Sequence, residues 1–176
     1  MLLALGTLAF LGLMLVSLRV ANERDSSPLV ARRIAPGFEL QTLDGLPVRL
    51  DDLRGKVVLI HFWATWCPPC VEEAPELADL ARSLSGQGFA LVAISVDEDR
   101  AKVQAFFRAG APPYVVALDS RASVARRYGT YKYPESYLLS PEGAIVERYV
   151  GPQTWSDPAI TNAIQALLRE GPSERR

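Results

Sequence analysis

The 176 residues include two cysteines, two methionines and a single histidine, and the formal net charge is −1. A balance this close to neutral leaves no electrostatic footprint for a polyphosphate, which argues against nucleic-acid binding. One histidine excludes a histidine-rich metal site. Two cysteines exclude a disulfide-stapled miniprotein. Both methionines, Met1 and Met14, lie in the N-terminal apolar run, so the rest of the chain has no thioether ligand for copper(I). No internal repeat or low-complexity stretch is present. What remains is a chain 49% hydrophobic and 22% charged, long enough for one domain with a real core.

From Met1 to Leu18 there is no charged residue. As a helix this run would span ~27 Å, close to the ~30 Å hydrocarbon core of a bilayer. Residues 1–20 are therefore expected to form an uncleaved membrane anchor. Arg19 interrupts any small-x-small cleavage site, which disfavours a removed secretory signal. Arg19 and Arg24 follow the run, which by the positive-inside rule favours a cytoplasmic domain. The redox chemistry below favours export, and export is the expectation adopted. Residues 21–35 are polar, carry Ser26-Ser27-Pro28 and show no apolar period, as a tether would.

A domain is expected from Pro36 to about residue 170, with residues 171–176 as a disordered tail. Phe38 to Leu50 alternates on both sides of Asp44-Gly45 and predicts a short hairpin. Val57 to Trp63 is a continuous β-branched and aromatic run, the mark of a strand buried on both faces. Pro69 to about Leu84 predicts a helix, with Leu77, Leu80, Ala81 and Leu84 on one face. A strand over Phe89–Val96, a helix over Arg100–Arg108 and a strand over Tyr114–Leu118 follow. Then come a helix over Ser120–Tyr128, strands over Ser136–Ser140 and Ala144–Tyr149, and a last helix with Asp157 as N-cap and Pro158 at its first position. This order implies an α/β fold with a mixed sheet covered on both faces.

The pair Cys67-Pro68-Pro69-Cys70 sits where the buried strand hands over to a helix. A helix start offers unpaired N–H groups and a positive dipole end, both of which favour a thiolate. Cys67, at the tip, is the expected exposed nucleophile. Cys70, one turn inside, is the expected resolving thiol. A structural disulfide would close too short a loop to stabilise much, and zinc would need four ligands. Neither Pro68 nor Pro69 carries an N–H, so of the nearby donors only that of Cys70 is left for Cys67. A poorly stabilised thiolate makes a reducing couple, so a reductant is expected rather than an oxidant.

The run Phe62-Trp63-Ala64-Thr65-Trp66-Cys67-Pro68-Pro69-Cys70, preceded by Gly55-Lys56 and a buried strand, resembles the thioredoxin superfamily. More narrowly it is similar to the membrane-anchored thiol–disulfide oxidoreductases of cytochrome c maturation, the TlpA/ResA/CcmG group. The resemblance covers about Pro36 to Arg169. It implies a thioredoxin-like three-layer α/β/α fold with an N-terminal β-hairpin extension, preceded by one transmembrane helix. Pro134, after Tyr133, matches the cis-proline that lies beside the disulfide and contacts substrate backbone, and Trp66 joins it in framing the substrate. The bulk of Tyr133 narrows that groove. Glu73 matches the acidic residue that the group places near its active site, one turn beyond Cys70. His61 departs from the pattern, standing where thioredoxins carry a buried acid and these relatives often carry asparagine. A neutral imidazole there is a candidate to exchange a proton with Cys70.

The resemblance further implies reduction of disulfides in exported proteins, with apocytochrome c as the leading substrate class and a membrane reductase as electron donor. The localisation that goes with it is a bacterial inner membrane, with the catalytic domain on the periplasmic side. No cofactor beyond the Cys67–Cys70 couple, no metal, no nucleic acid and a monomer are expected. A disulfide-forming oxidant and a copper(I)-handling protein remain as alternatives. A thiol peroxidase ranks lower, because Thr65 stands two residues before Cys67 rather than three.

Overall fold

The computed structural model of the protein describes residues 33–171. The expected anchor at 1–20, most of the tether and the tail at 172–176 lie outside the described residues. Among the described residues no helix is long and apolar enough to cross a membrane. Among the described residues, pairing is already present at Arg33, three residues before Pro36. Ile145 donates its N–H to the Arg33 carbonyl, Ala35 donates to that of Gly143, and Ile34 forms a bridge with Ala144.

Seven strands make one sheet. They are β1 (Glu39–Thr42), β2 (Pro47–Arg49), β3 (Val57–Trp63), β4 (Phe89–Ser95), β5 (Val115–Leu118), β6 (Glu135–Leu139) and β7 (Ile145–Val150). Their spatial order is β2-β1-β5-β4-β3-β6-β7. β3, β4 and β5 are parallel, whereas β6 lies antiparallel to β3, β7 to β6, β1 to β5 and β2 to β1. The parallel strands need long crossovers, which α1 (Pro68–Ser83) and α2 (Arg100–Phe106) supply. The two hairpins extend the sheet at its edges. The mixed sheet expected from the sequence is present, with the early hairpin as an outer pair beside β5.

All seven residues of β3 are buried, so both faces of the sheet are covered there. Alternation along the strand sorts its side chains. Phe62 packs against the rings of Tyr128 and Tyr137, while Trp63 meets Phe106 and Phe107 and His61 meets Trp155. α1 lays a stripe of Cys70, Glu73, Leu77, Leu80 and Ala81 onto the core and runs unbroken through Pro75.

α3 (Ser123–Tyr128) starts three residues later than the sequence suggests. The Asp119 carboxylate accepts the N–H groups of Ser123, Val124 and Ala125, which places the helix start after the turn rather than within it. Ala122 closes that turn with a left-handed φ of 49°. The last helix, α4 (Pro158–Glu170), begins as expected, with the Asp157 carboxylate accepting the Ala159 N–H at 2.7 Å.

Candidate active site

After β3 the chain turns through Ala64, Thr65 and Trp66 before α1 begins. This turn is tied to the end of β4. Thr65 gives its N–H and its hydroxyl to the buried Asp97 carboxylate, at 2.9 and 2.5 Å, and Ser95 gives its hydroxyl at 2.7 Å. Cys67 is the N-cap of α1 and is disulfide-bonded to Cys70, with their Cα atoms 5.3 Å apart. Pro68 and Pro69 fill the first helical positions, where a missing N–H costs nothing.

Two expectations about Cys67 are corrected in this disulfide form. The Cys70 N–H is not free for the Cys67 sulfur. It donates to the Cys67 carbonyl at 3.0 Å, as does the Val71 N–H at 3.2 Å, because an N-cap carbonyl is the helix's first acceptor. Cys67 is also only 4% exposed rather than open to solvent. The disulfide draws it toward Cys70, which lies on the buried stripe of α1. The exposed groups flanking it are Trp66, at 61%, and Pro68, while Pro69 is half-buried.

The Tyr133–Pro134 peptide bond is cis and leads directly into β6. The Tyr133 ring meets Trp66 edge-on at 5.9 Å between centroids, so the active-site turn and the cis-proline loop share one surface.

Beneath the disulfide are two buried titratable side chains. Glu73 is 5% exposed and His61 is 2% exposed. The Glu73 Oε2 accepts the backbone N–H of Gln153 at 3.0 Å and the indole N–H of Trp155 at 3.1 Å. Its Oε1 lies 3.4 Å from His61 Nε2. The other ring nitrogen, Nδ1, lies 2.9 Å from Ser136 Oγ. Burial, opposed by the two N–H donors, pushes the Glu73 carboxyl up to about 7. Burial also pushes the His61 imidazole down to about 3. His61 and Cys70 both line a small cavity of about 10 Å³, walled by Trp63, Leu77, Phe107 and Tyr114.

Every sequence-predicted site residue lies in this region, in two layers. Trp66, Pro68, Pro69 and Tyr133 form the upper surface around the disulfide, with Pro134 buried next to Tyr133, and Glu73 and His61 form the lower layer. Sequence reasoning missed Asp97, Ser136, Gln153 and Trp155. Trp155, a large aromatic in a polar loop ahead of an N-cap, was a signal that could have been read. Ser136 was invisible until the β3–β6 register set it opposite His61.

A dithiol at a strand–helix junction, one sulfur at the helix tip and the other a turn inside beside a buried acid, can attack a disulfide, hold a mixed disulfide and resolve it. The sheet order and this site define a thioredoxin-like thiol–disulfide oxidoreductase. The chain belongs to the AhpC/TSA family, whose model matches residues 31–148. It is 35% identical over 122 residues to the thiol-disulfide oxidoreductase ResA of Bacillus subtilis, covering 69% of this chain and 68% of that one. Among solved structures it is similar to a thioredoxin-family thiol:disulfide interchange protein from Chlorobium tepidum, at 27% identity and a TM-score of 0.69, covering 78% of this chain and 97% of that one. A thiol-disulfide oxidoreductase from Bacteroides fragilis is similar at 27% identity and a TM-score of 0.66, covering 77% and 99%.

Proposed function

We propose that the protein is a membrane-anchored reductant that reduces disulfides in exported proteins, with apocytochrome c as the leading substrate class. In this reading residues 1–20 anchor the chain, the residues that follow tether it, and the catalytic domain from Arg33 to about residue 170 faces the periplasm as a monomer. A membrane reductase supplies the electrons. The Cys67 thiolate attacks a substrate disulfide and releases the first substrate thiolate. Cys70 then gives up its proton toward Glu73 and His61, attacks the Cys67 sulfur and releases the reduced substrate. Trp66, Pro68, Pro69, Tyr133 and Pro134 frame the substrate chain.

The observation that carries the reductant direction is the poverty of donors at Cys67. Pro68 and Pro69 have none, and the N–H groups of Cys70 and Val71 are spent on the Cys67 carbonyl. A thiolate without donors is poorly stabilised, which lowers the reduction potential of the couple. A peroxidase role is disfavoured by Thr65, whose hydroxyl is bound to Asp97.

The test is the reduction potential of the full chain equilibrated with a dithiol buffer. The expected value is at or below that of thioredoxin, ~−270 mV. A value near that of the oxidant DsbA, ~−120 mV, would make the protein a disulfide donor. The Cys70→Ser variant is expected to trap a mixed disulfide with an oxidised apocytochrome c. If the variant is competent with other protein disulfides yet traps none with apocytochrome c, that substrate class is wrong.

A further inference from the structure

We propose that Glu73, His61 and Ser136 form a buried proton relay in which the histidine exchanges tautomers and never becomes an imidazolium. The inference rests on the reading that Glu73 and His61 take up the Cys70 proton, and it concerns how they hold it.

The donor and acceptor inventory leaves few choices. Glu73 Oε2 faces two N–H donors and must stay an acceptor, so a proton on this carboxyl belongs on Oε1. Oε1 is buried with no hydrogen-bond partner in this state of the site, and the nearest group that could serve it is His61 Nε2, at 3.4 Å. His61 Nδ1 faces a serine hydroxyl, which can donate or accept. With Glu73 ionised, His61 carries its proton on Nε2 and points it at Oε1, while Ser136 donates to Nδ1. With Glu73 protonated, Oε1–H donates to Nε2 and Nδ1–H donates to Ser136.

The step between these states balances. In the oxidised protein the incoming proton comes from solvent as the pH falls and enters at Nδ1 through the Ser136 hydroxyl, which passes its own proton on and takes the incoming one. The Nε2–H bond breaks and an Oε1–H bond forms. The net gain of one proton neutralises the carboxylate, and the imidazole stays neutral at both ends. Charging a ring this deeply buried would be costly, and exchange of tautomers avoids that cost. Of the polar partners of Glu73, His61 is the one that also lines the cavity beside Cys70.

Among the surrounding titratable groups, Glu76 bears directly on Glu73. On α1 these are Cys70 and Glu76, the latter's carboxylate accepting the Trp155 N–H at 2.8 Å and pushing Glu73 upward. Tyr114 stands across the cavity and Tyr149 behind Trp155, and burial raises both phenols further into the alkaline range. β4 contributes Ala93 opposite His61, which does not titrate. In the oxidised protein the two cysteines do not titrate either.

The chain has a single histidine, so its two ring nitrogens are assigned without ambiguity in a nitrogen-15 NMR spectrum of the oxidised full chain. The expected result is an exchange of roles as pH crosses about 7. The unprotonated, downfield nitrogen is Nε2 below that pH and Nδ1 above it. Glu73→Gln, whose amide can only donate toward Nε2, is expected to lock the Nδ1–H tautomer at every pH. A single tautomer throughout in the unaltered protein, or both nitrogens moving together to imidazolium between pH 5 and 9, overturns the relay. The pH profile of disulfide reduction in Glu73→Gln separates the two readings. A changed profile beside a fixed wild-type tautomer refutes the relay and leaves the catalytic role of Glu73 standing. A tautomer exchange beside an unchanged profile supports the relay and removes it from catalysis.

Discussion

Glu73 and His61 pull the pH dependence of stability in opposite directions. Burial keeps Glu73 protonated up to about pH 7, whereas the unfolded side chain ionises near 4.5. Between those values the folded protein holds the extra proton, so this residue's contribution to stability falls as pH rises. His61 stays neutral in the fold down to about pH 3, whereas the unfolded ring protonates below 6.5. Its contribution is full above 6.5 and falls as pH drops toward 3. From 4.5 to 6.5 the two slopes cancel, because the fold holds on Glu73 the proton that the unfolded chain holds on its histidine. We expect Glu73→Gln to expose a rising slope of ~1 kcal/mol per pH unit in this window relative to wild type. His61→Asn is expected to expose a falling slope of similar size. Urea denaturation of the oxidised proteins across pH 4.5–6.5 measures both, and three parallel profiles would contradict the assignment. At this scale the sequence showed that His61 and Glu73 were unusual. It did not show that they lie together, because a glutamate one turn into a helix is also compatible with a solvated residue favoured by the dipole.

The turn between β3 and α1 is an element with its own anchor. Three donors converge on Asp97, two of them from Thr65, two residues ahead of the nucleophile. Asp97→Ala leaves those donors without their acceptor in a buried position, and we expect a loss of ~1–3 kcal/mol. The rate of Cys67 attack on a disulfide is expected to fall as well, since the turn that aims it is released. Denaturation together with single-turnover reduction tests this, and an unchanged rate in the folded variant would show that Asp97 acts on stability alone. Element boundaries were legible to within a residue where a local signal marks them, as at Pro69, one residue inside the observed start of α1 at Pro68, and at Asp157-Pro158. The start of α3 was not, because the Asp119 carboxylate reaches past its own turn to cap N–H groups up to six residues on.

In the whole molecule β3 is the spine, hydrogen-bonded to β4 and β6 and carrying Phe62 and His61 on opposite faces. Phe62→Ala removes a ring packed against Tyr128 and Tyr137, at 5.4 and 6.0 Å between centroids, and we expect it to cost ~3–5 kcal/mol. That face is remote from the Glu73 pair, so the variant's pH slope should match wild type in urea titrations. A changed slope would mean that the two faces are coupled. The sequence by itself determined the alternation of strands and helices, the buried run that became β3 and the dithiol at its end. Each of these depends on near neighbours in the chain, through side-chain period, missing proline N–H groups and caps. Tertiary structure alone decided the second layer of the site. His61 meets Ser136 across 75 residues, and Glu73 is covered by a loop about 80 residues away. Those contacts exist because β6 returns antiparallel beside β3 and the chain after β7 folds over α1, which no local pattern in either partner encodes.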